Sequence, residues 1–232
     1  MSQKVVALLP MKANSTRVPG KNFKDFCGKP LFKWILDALL DVEEIDQVVI
    51  NTDARDILID NGLETSDRVV IRQRKACICG DEVSMNVVLA DDVENIEADI
   101  YIMTHTTNPL LSSETIRRAL MQYKNAMASG SADSLFTVNK IQTRFYTESC
   151  EAINHDPNNL IPTQNLEPWF EENSNLYLFN RESFSSTNAR IGRKPTMMVS
   201  PPMECSDIDT PDDWEQAVVK TNYMLEKGLI KA

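Results

Sequence analysis

No apolar run in this 232-residue chain approaches the roughly 20 residues that a membrane-spanning helix needs. The polar start, Met1 to Lys4, leads directly into a strand-like segment, so we expect no secretory signal. The five cysteines are scattered and odd in number, which disfavours a disulfide framework. With 42% hydrophobic residues the chain can fill one sizeable core, so we expect a single cytoplasmic domain over residues 1–232.

Positive charge is also scarce. The chain has 24 lysines and arginines against 34 acidic residues, a formal net charge of −10. This balance argues against a nucleic-acid-binding protein, which needs a broad cationic surface. The cations are instead grouped in three places: between Lys12 and Lys33, at Arg72, Arg74 and Lys75, and at Arg190, Arg193 and Lys194. Local positive pockets on an acidic body suit a small anion.

Both well-known glycine-rich phosphate patterns, G-x-x-x-x-G-K-[ST] and G-x-G-x-x-G, are missing from the N-terminal region. In their place, a polar loop joins the apolar run Val5–Leu9 to the amphipathic stretch Pro30–Leu40. A strand, a loop and a helix in this order present backbone N–H groups to phosphate oxygens. The loop adds cationic and short polar side chains: Lys12, Ser15, Thr16, Arg17, Lys21 and Asn22. It therefore predicts a polyphosphate site, with a nucleotide as the leading ligand.

The alternation of short apolar runs with helical stretches predicts the fold. Apolar runs at 5–9, 48–50, 69–71 and 100–103 alternate with helix-like segments at 31–40, 54–61, 83–93 and 112–124, the last with Ser113 as its N-cap. This pattern predicts an α/β domain with a mostly parallel sheet and helices on both faces. The less regular region 136–172 predicts a hairpin or arm outside the core, or else a long surface loop.

A second cluster of polar residues lies near the C-terminus. Asp207 and Asp209 are two residues apart and would point the same way from an extended segment. Two convergent carboxylates are suited to bind Mg²⁺, which takes one or two carboxylates together with phosphates and waters as its ligands. Thr210 and Pro211 then predict the start of a helix, with Asp212 and Asp213 serving its cap and solvation.

Several of these motifs resemble those of the acylneuraminate cytidylyltransferases, the CMP-sialic acid synthetases and their relatives. The signature loop of that family resembles Pro10, Lys12, Ser15, Pro19 and Lys21-Asn22, followed by Gly28-Lys29-Pro30-Leu31. Its closing D-I-D-T-P-x-D-W motif matches residues 207–214. Further similarity lies at 51–53, at Arg74, Gly80-Asp81 and Ser84, and at 173–177, so the resemblance spans nearly the whole chain.

The resemblance implies transfer of CMP from CTP to the hydroxyl of an acidic sugar, with release of pyrophosphate. It implies that Lys21, Asp207 and Asp209 are catalytic and that both aspartates hold Mg²⁺. It implies a homodimer in which the arm at 136–172 reaches the partner's active site. The nucleotide-binding residues it implies are Lys12, Ser15, Arg17, Asn22, Asp53, Arg74 and Ser84.

Two positions of the nucleotide loop depart from the family pattern: Lys12 stands for the usual arginine, and Asn14 stands for a glycine whose left-handed turn an asparagine can adopt. The acceptor side departs more, since His105 stands for a glutamine associated with sugar binding. A histidine here can hydrogen-bond the acceptor and can titrate near neutral pH. The arginine expected before Gln164 is missing, and Lys140 or Arg144 could supply its charge. We therefore take His105, Lys140, Arg144 and Gln164 as acceptor-binding candidates and leave the acceptor open among sialic, legionaminic, pseudaminic and other acids.

Two alternatives remain at the level of sequence. One is a nucleotidyltransferase of the same fold that acts on a phosphorylated acceptor, with Arg190, Arg193 and Lys194 as a second anion pocket. The other is a CTP-binding protein without catalysis, which the altered acceptor motif would favour. The pair Asp207 and Asp209 argues against the second alternative, because two converging carboxylates repel each other without a cation.

Overall fold

The computed structural model describes residues 3–230 and contains nine strands and six α-helices within that range. The strands are β1 (Val5–Leu8), β2 (Asp25–Phe26), β3 (Lys29–Pro30), β4 (Gln47–Thr52), β5 (Val69–Gln73), β6 (Ile100–Met103), β7 (Ser134–Ile141), β8 (Trp169–Phe179) and β9 (Pro195–Val199). The helices are α1 (Leu31–Leu40), α2 (Arg55–Asp60), α3 (Met85–Asn95), α4 (Ser113–Ala128), α5 (Arg181–Thr187) and α6 (Pro211–Glu226).

Seven strands form one sheet in the order β5-β4-β1-β6-β8-β7-β9, and β2 pairs with β3 in a small separate hairpin. Strands β5, β4, β1 and β6 are parallel to one another, and β7 is parallel to β9. Strand β8 is antiparallel to both of its neighbours. The predicted mostly parallel sheet is confirmed, and the carboxyl ends of its parallel strands share one edge.

Helices cover both faces of the sheet, as the sequence predicted. On one face Phe32 and Ile35 of α1 pack with Leu120 of α4, and on the other Leu89 of α3 packs with Phe184 of α5. Each of these apolar side chains is almost fully buried. Burial on this scale contributes about 1.5–3 kcal/mol per side chain, so the two apolar layers hold the sheet rigid beneath its ligand-binding edge.

The N-cap of α4 is Ser112, and the prediction of Ser113 was wrong by one residue. The Ser112 hydroxyl accepts the backbone N–H of Thr115 at 3.1 Å. The Glu204 carboxylate, 92 residues away, accepts both the N–H and the hydroxyl of Ser112. This long-range contact fixes the start of the helix, and local sequence gives no sign of it.

A third apolar cluster ties the N-terminal loop to the C-terminal segment. Val18 of the loop, Ile208 of the acidic segment and Trp214 of α6 are buried in it together with Phe26 and Trp34. The rings of Phe26 and Trp214 pack edge to face at 5.2 Å. The Trp34 indole N–H donates to the backbone carbonyl of Phe26 at 2.8 Å. Two segments far apart in sequence are therefore packed around the same side chains.

The predicted excursion at 136–172 begins inside β7 and ends inside β8, so both of its ends belong to the sheet. The chain outside the sheet is 142–168. It packs on the start of β8, since the Phe145 ring stacks on Trp169 with centroids 4.9 Å apart. The Arg144 guanidinium also donates to the carbonyl of Ile161 at 2.7 Å. The sheet ladder between β7 and β8 continues to the Ile141–Trp169 pair, so the excursion extends a regular hairpin.

The structure has neither a membrane-spanning helix nor a disulfide among residues 3–230. No helix among residues 3–230 is long and apolar enough to cross a membrane. All five cysteines are free thiols. Residues 1, 2, 231 and 232, on which the predicted domain limits and the predicted lack of a secretory signal partly rest, lie outside the described residues.

Candidate active site at the carboxyl edge of the sheet

The loop after β1 folds around a buried lysine. Lys21 is only 8% exposed, and its ammonium group donates to the backbone carbonyl of Ile208. The same ammonium lies 3.7 Å from the Asp209 carboxylate. Asn22 fastens the loop, because its amide N–H donates to the carbonyl of Lys12 at 2.8 Å. Asn14 does not adopt the left-handed conformation that the sequence suggested for it. Within this loop Gly20 has that conformation, with φ 63°. The result is a cleft of about 150 Å³ lined by Lys12, Arg17, Lys21 and Asp209.

Burial lowers the pKa of Lys21, and the carboxylates of Asp209 and Asp207 act in the opposite direction. A desolvated ammonium group gains more from an added anion than an exposed one, since less water competes for its charge. The position of Lys21 beneath the cleft therefore suits contact with phosphate oxygens.

The acidic segment has no regular secondary structure between Cys205 and Asp209, and burial alternates along it. Ile208 is fully buried, and Asp207 and Asp209 on either side of it point away from the core. Partial desolvation and the neighbouring Asp209 raise the pKa of Asp207, while a hydrogen bond from Thr107 opposes that rise. Thr210 caps α6 in a reciprocal capping box with Asp213, as the sequence predicted. This cap stiffens the backbone directly after the two carboxylates.

The donor set fits Mg²⁺. Among the described residues no group of three or more histidine, cysteine or acidic side chains is arranged to hold a metal ion. A pair of carboxylates is nevertheless what Mg²⁺ takes from a protein when substrate phosphates and waters supply the other ligands. The raised pKa of Asp207 reflects, after desolvation, repulsion by Asp209, which a divalent cation would relieve. Asp207 and Asp209 would be its protein ligands.

The remaining cations of the loop are paired with carboxylates. The Arg17 guanidinium lies 3.1 Å from Asp209, and the Lys12 ammonium lies 3.0 Å from Asp81. Both pairs are substantially exposed to solvent. Exposed ion pairs contribute about 0–1 kcal/mol each, so a polyanion entering the cleft can exchange for these carboxylates at little cost.

Arg74 lies behind the loop and is nearly completely buried. Its guanidinium donates to the carbonyl of Met11 at 3.2 Å and to the carbonyl and side-chain oxygen of Asn51 at 2.7 and 3.0 Å. Asn51 in turn donates to the Asp92 carboxylate at 2.8 Å. The buried chain from Asp92 through Asn51 and Arg74 to Met11 fixes the backbone at the point where the loop begins.

Three further residues predicted to bind the nucleotide make contacts within the protein or line the cleft. The Asp53 carboxylate accepts the backbone N–H of Ala13 at 2.7 Å and so holds the loop. Ser84 is the N-cap of α3, and its hydroxyl accepts the N–H of Asn86. Ser15 lines the cleft. The assignment of these residues to the nucleotide stays a prediction.

The segment 104–108, directly after β6, connects all parts of the site. Thr104 donates to the carbonyl of Asn175 in β8, and Asn108 donates to that of Ser174. Thr106 donates to the side-chain oxygen of Asn22 at 2.6 Å. Burial alternates along the segment, so His105 and Thr107 are the more exposed positions. Thr107 contacts Asp207. The nucleotide loop, the acidic segment and β8 are thus joined by five consecutive residues.

The acceptor candidates do not lie together. His105 Nε2 is 3.2 Å from Nη1 of Arg190, whereas Lys140 is an exposed residue of β7 paired with Phe170 of β8. Arg144 contacts Ile161, and the Gln164 carbonyl accepts a hydrogen bond from Gln142, so both contacts lie within the excursion. The acceptor-binding roles of all four residues stay predictions.

The expectation that His105 titrates near neutral pH is wrong. Burial, together with the positive charges of Arg190 and Lys21, lowers the pKa of His105 to about 3. The ring is therefore neutral, and since the guanidinium of Arg190 can only donate, Nε2 accepts and Nδ1 carries the proton.

This low pKa predicts a pH-dependent stability. The unfolded chain binds a proton at His105 below a pKa of about 6.5, whereas the folded chain does so only near 3. Stability contributed by neutral His105 is therefore complete above about pH 6.5 and is lost as the pH falls. Between about pH 7.5 and 4.5 we expect wild type to lose about 2–3 kcal/mol more than His105→Gln does. Urea unfolding at both pH values measures this, with His155→Gln as the matched control, and equal losses in wild type and His105→Gln would contradict it.

The proposed second anion pocket of Arg190, Arg193 and Lys194 is not assembled. The Arg193 guanidinium donates to the carbonyl of Ser186, and the Lys194 ammonium donates to that of Gly130. Their backbone N–H groups bind Asp133, just before β7, at the edge of the sheet opposite the site. Arg190 alone reaches His105.

Some functional contacts could not be found by sequence reasoning. Glu172 and Tyr177 of β8 both contact Arg190, and Thr106 and Thr107 hold Asn22 and Asp207. The sequence shows only that polar residues follow β6. Which of them face which partner depends on the antiparallel strand β8, whose placement has no local signal.

Comparison with known proteins identifies the family of the chain. A family model described as "Cytidylyltransferase" matches residues 6–216. The chain is 26% identical to the CMP-N,N'-diacetyllegionaminic acid synthase of Legionella pneumophila, over 91% of this chain and 93% of that protein. It is 24% identical to the pseudaminic acid cytidylyltransferase of Campylobacter jejuni, over 95% and 98%. A solved structure of CMP-2-keto-3-deoxy-manno-octonic acid synthetase complexed with CTP is similar in fold, with a TM-score of 0.66, 17% identity and coverage of 96% and 100%. The chain belongs to the cytidylyltransferase family.

Proposed function

We propose that this cytidylyltransferase transfers CMP from CTP to the hydroxyl of a nonulosonic acid, a nine-carbon acidic sugar, and releases pyrophosphate. The observation that carries the proposal is the joining of Lys21 to the acidic segment. The buried ammonium is bound to the Ile208 carbonyl and lies 3.7 Å from Asp209 at the cleft, and the charge of Asp207 also acts on it. Nucleotidyl transfer needs this combination, because charge builds on the α-phosphate and on the departing pyrophosphate.

The loop residues bind and orient the triphosphate. Lys21 contributes a fixed cation beneath the cleft, and Lys12 and Arg17 exchange Asp81 and Asp209 for phosphate oxygens. Asn22 holds the loop in shape from Lys12 to Thr106. Holding both reactants in one geometry removes the entropy cost of bringing them together. This reduction of the activation barrier is a large part of the rate enhancement in such reactions.

Asp207 and Asp209 are proposed to hold Mg²⁺. When bound there, Mg²⁺ supplies charge neutralisation at the α-phosphate and lowers the pKa of an acceptor hydroxyl. Ile208 between them is buried, Thr107 hydrogen-bonds Asp207, and the charge of Asp209 acts on Asp207, which supports a shared cation site.

The class of acceptor is supported by relatives that match 91% and 95% of this chain. Their names state legionaminic and pseudaminic acid, which are both nonulosonic acids. Similarity to proteins named 3-deoxy-manno-octulosonate cytidylyltransferase covers 52% of this chain. The acceptor side of this site has a neutral histidine beside an arginine, which suits a polar and anionic sugar.

We also propose that the protein acts as a homodimer through the excursion. Apolar side chains are exposed on this region, among them Leu160 at 63%, Phe170 at 42% and Trp169 at 38%. A second copy would remove them from water. Light scattering should give twice the 26.2 kDa mass of the chain, and a single-chain mass would contradict a dimer.

Pyrophosphate release tests the function directly. Purified protein with CTP and Mg²⁺ is incubated with legionaminic, pseudaminic and N-acetylneuraminic acid, with 3-deoxy-manno-octulosonate, and with sugar 1-phosphates. We expect release with a nonulosonic acid, dependence on Mg²⁺, and no release when UTP or ATP replaces CTP. Release only with the sugar phosphates, or only with 3-deoxy-manno-octulosonate, would reject the proposed acceptor class.

A further inference from the structure

Arg190 lies outside the nucleotide loop and the acidic segment, yet it is built into the same edge of the sheet. Its backbone N–H donates to the side-chain oxygen of Asn86, in the first turn of α3, at 3.3 Å. Its guanidinium carbon lies 3.8 Å from the centroid of the Tyr177 ring in β8. The side chain is 21% exposed. Arg190 is therefore held in one orientation and still open to solvent.

The charge of Arg190 is only partly satisfied within the protein. Nη1 lies 3.2 Å from the neutral Nε2 of His105, and Nη2 lies 3.3 Å from the Glu172 carboxylate. Glu172 is 42% exposed and also accepts the hydroxyl hydrogen of Tyr177. Nη1 also lies 3.9 Å from the Met103 sulfur. An arginine has five N–H donors in a planar fork, and these three long contacts leave much of its hydrogen-bonding capacity for a ligand.

The position of Arg190 relative to the acidic segment follows from the segment 104–108. His105 and Thr107 are its two more exposed residues. His105 contacts Arg190, and Thr107 contacts Asp207. The positive charge of Lys21 also helps to lower the pKa of His105. A ligand lying over His105 and Thr107 would thus have Arg190 at one end and the two carboxylates at the other.

We propose that Arg190, supported by the Tyr177 ring and by His105, binds the carboxylate of the acidic acceptor and makes the enzyme specific for acids. A guanidinium matches a carboxylate in a bidentate, charge-assisted geometry, and stacking on an aromatic ring keeps its plane fixed. Glu172 competes for the same guanidinium and so limits the affinity for the acceptor. This inference rests on the proposed function, since it assigns the acceptor's carboxylate to one residue.

The test compares a free acid with its methyl ester, which has the same sugar but no charge. The acid is the nonulosonic acid that gives the fastest pyrophosphate release with wild type. For Arg190→Met we expect the KM of the acid to rise about 10- to 100-fold, with the KM of CTP within about twofold of wild type. Wild type should prefer the acid over the ester, and Arg190→Met should lose that preference. Glu172→Gln should lower the KM of the acid, because the competing carboxylate is gone.

Arg193→Met is the matched control, because Arg193 lies in the same segment and binds the carbonyl of Ser186. It should keep the acid preference of wild type. Arg190→Lys retains the charge without the fork and should retain part of the preference. Arg190→Met that still prefers the acid, or that raises the KM of CTP and of the acid equally, would overturn the inference. Wild type inactive with every acceptor would instead overturn the proposed function, so the two failures are distinguishable.

Discussion

Replacing Asp209 with alanine is expected to lower the rate of CMP transfer by about 10³-fold. The Asp209 carboxylate contacts two cations of the site, since it lies 3.1 Å from the Arg17 guanidinium and 3.7 Å from the Lys21 ammonium. It is also a proposed ligand of Mg²⁺. Its loss removes a metal ligand and leaves Lys21 without its nearest counter-charge. Pyrophosphate release at saturating CTP and Mg²⁺ measures the effect, and CTP binding by calorimetry should weaken less than the rate falls.

Asp212→Ala is the matched control for this prediction. Asp212 is an acidic residue three positions further along, exposed in the first turn of α6. Its removal changes the net charge by the same amount but touches neither Lys21 nor Arg17. We expect an activity within about twofold of wild type, with a small loss of helix stability, about 0.3–1 kcal/mol. Equal loss of activity in both variants would mean that bulk charge, and not the carboxylate at 209, supports catalysis.

Replacing Lys21 with methionine should lower the rate by about 10²- to 10³-fold while leaving the protein folded. Methionine fills much of the volume of the lysine stem but has no charge for the triphosphate. Burial already lowers the pKa of Lys21, which means that the folded protein holds this ammonium at an energetic cost. Removing it relieves that cost and gives up one hydrogen bond to Ile208. The melting temperature should therefore stay close to that of wild type, in a thermal scan without CTP.

Lys24→Met is the corresponding control. Lys24 belongs to the same loop region but is exposed, with its ammonium 4.4 Å from the Trp214 ring centroid. It should retain activity within about threefold of wild type. If Lys21→Met were active to within tenfold of wild type, the buried cation would not carry the phosphate contact. If it melted far below wild type, Lys21 would instead be chiefly a structural link to Ile208.

The first half of the fold could be predicted from sequence because its signals are local. The four apolar runs at 5–9, 48–50, 69–71 and 100–103 each became a parallel strand, and each is followed by polar residues. Strands β7, β8 and β9 were not identified. Strand β8 begins with Trp169 to Glu172, all exposed, and changes to buried residues only from Asn173. A strand that starts outside the core lacks the uniform pattern by which strands are identified.

The site shows the same division. Lys21, Asp207 and Asp209 carry chemistry that residue type and spacing reveal, and the structure brings all three together. The behaviour of His105 could not be predicted, because its low pKa depends on burial and on Arg190, 85 residues further along. From sequence alone, a histidine can only be assigned its ordinary pKa. Only the packing around it determines whether it titrates near neutral pH.

The apolar cluster of Val18, Phe26, Ile208 and Trp214 has a consequence for the order in which the protein is made and folded. The hydrogen bond from Lys21 to Ile208 joins residues 187 positions apart. During synthesis, β1, β4, β5 and β6 all leave the ribosome before Ile208 does, so most of the parallel sheet can form first. Closing so long a loop is entropically unfavourable and slow. The cleft therefore cannot be completed before Ile208 has been synthesised, later than the strands of the sheet, so a chain that ends before residue 208 lacks the contact that holds Lys21 in place.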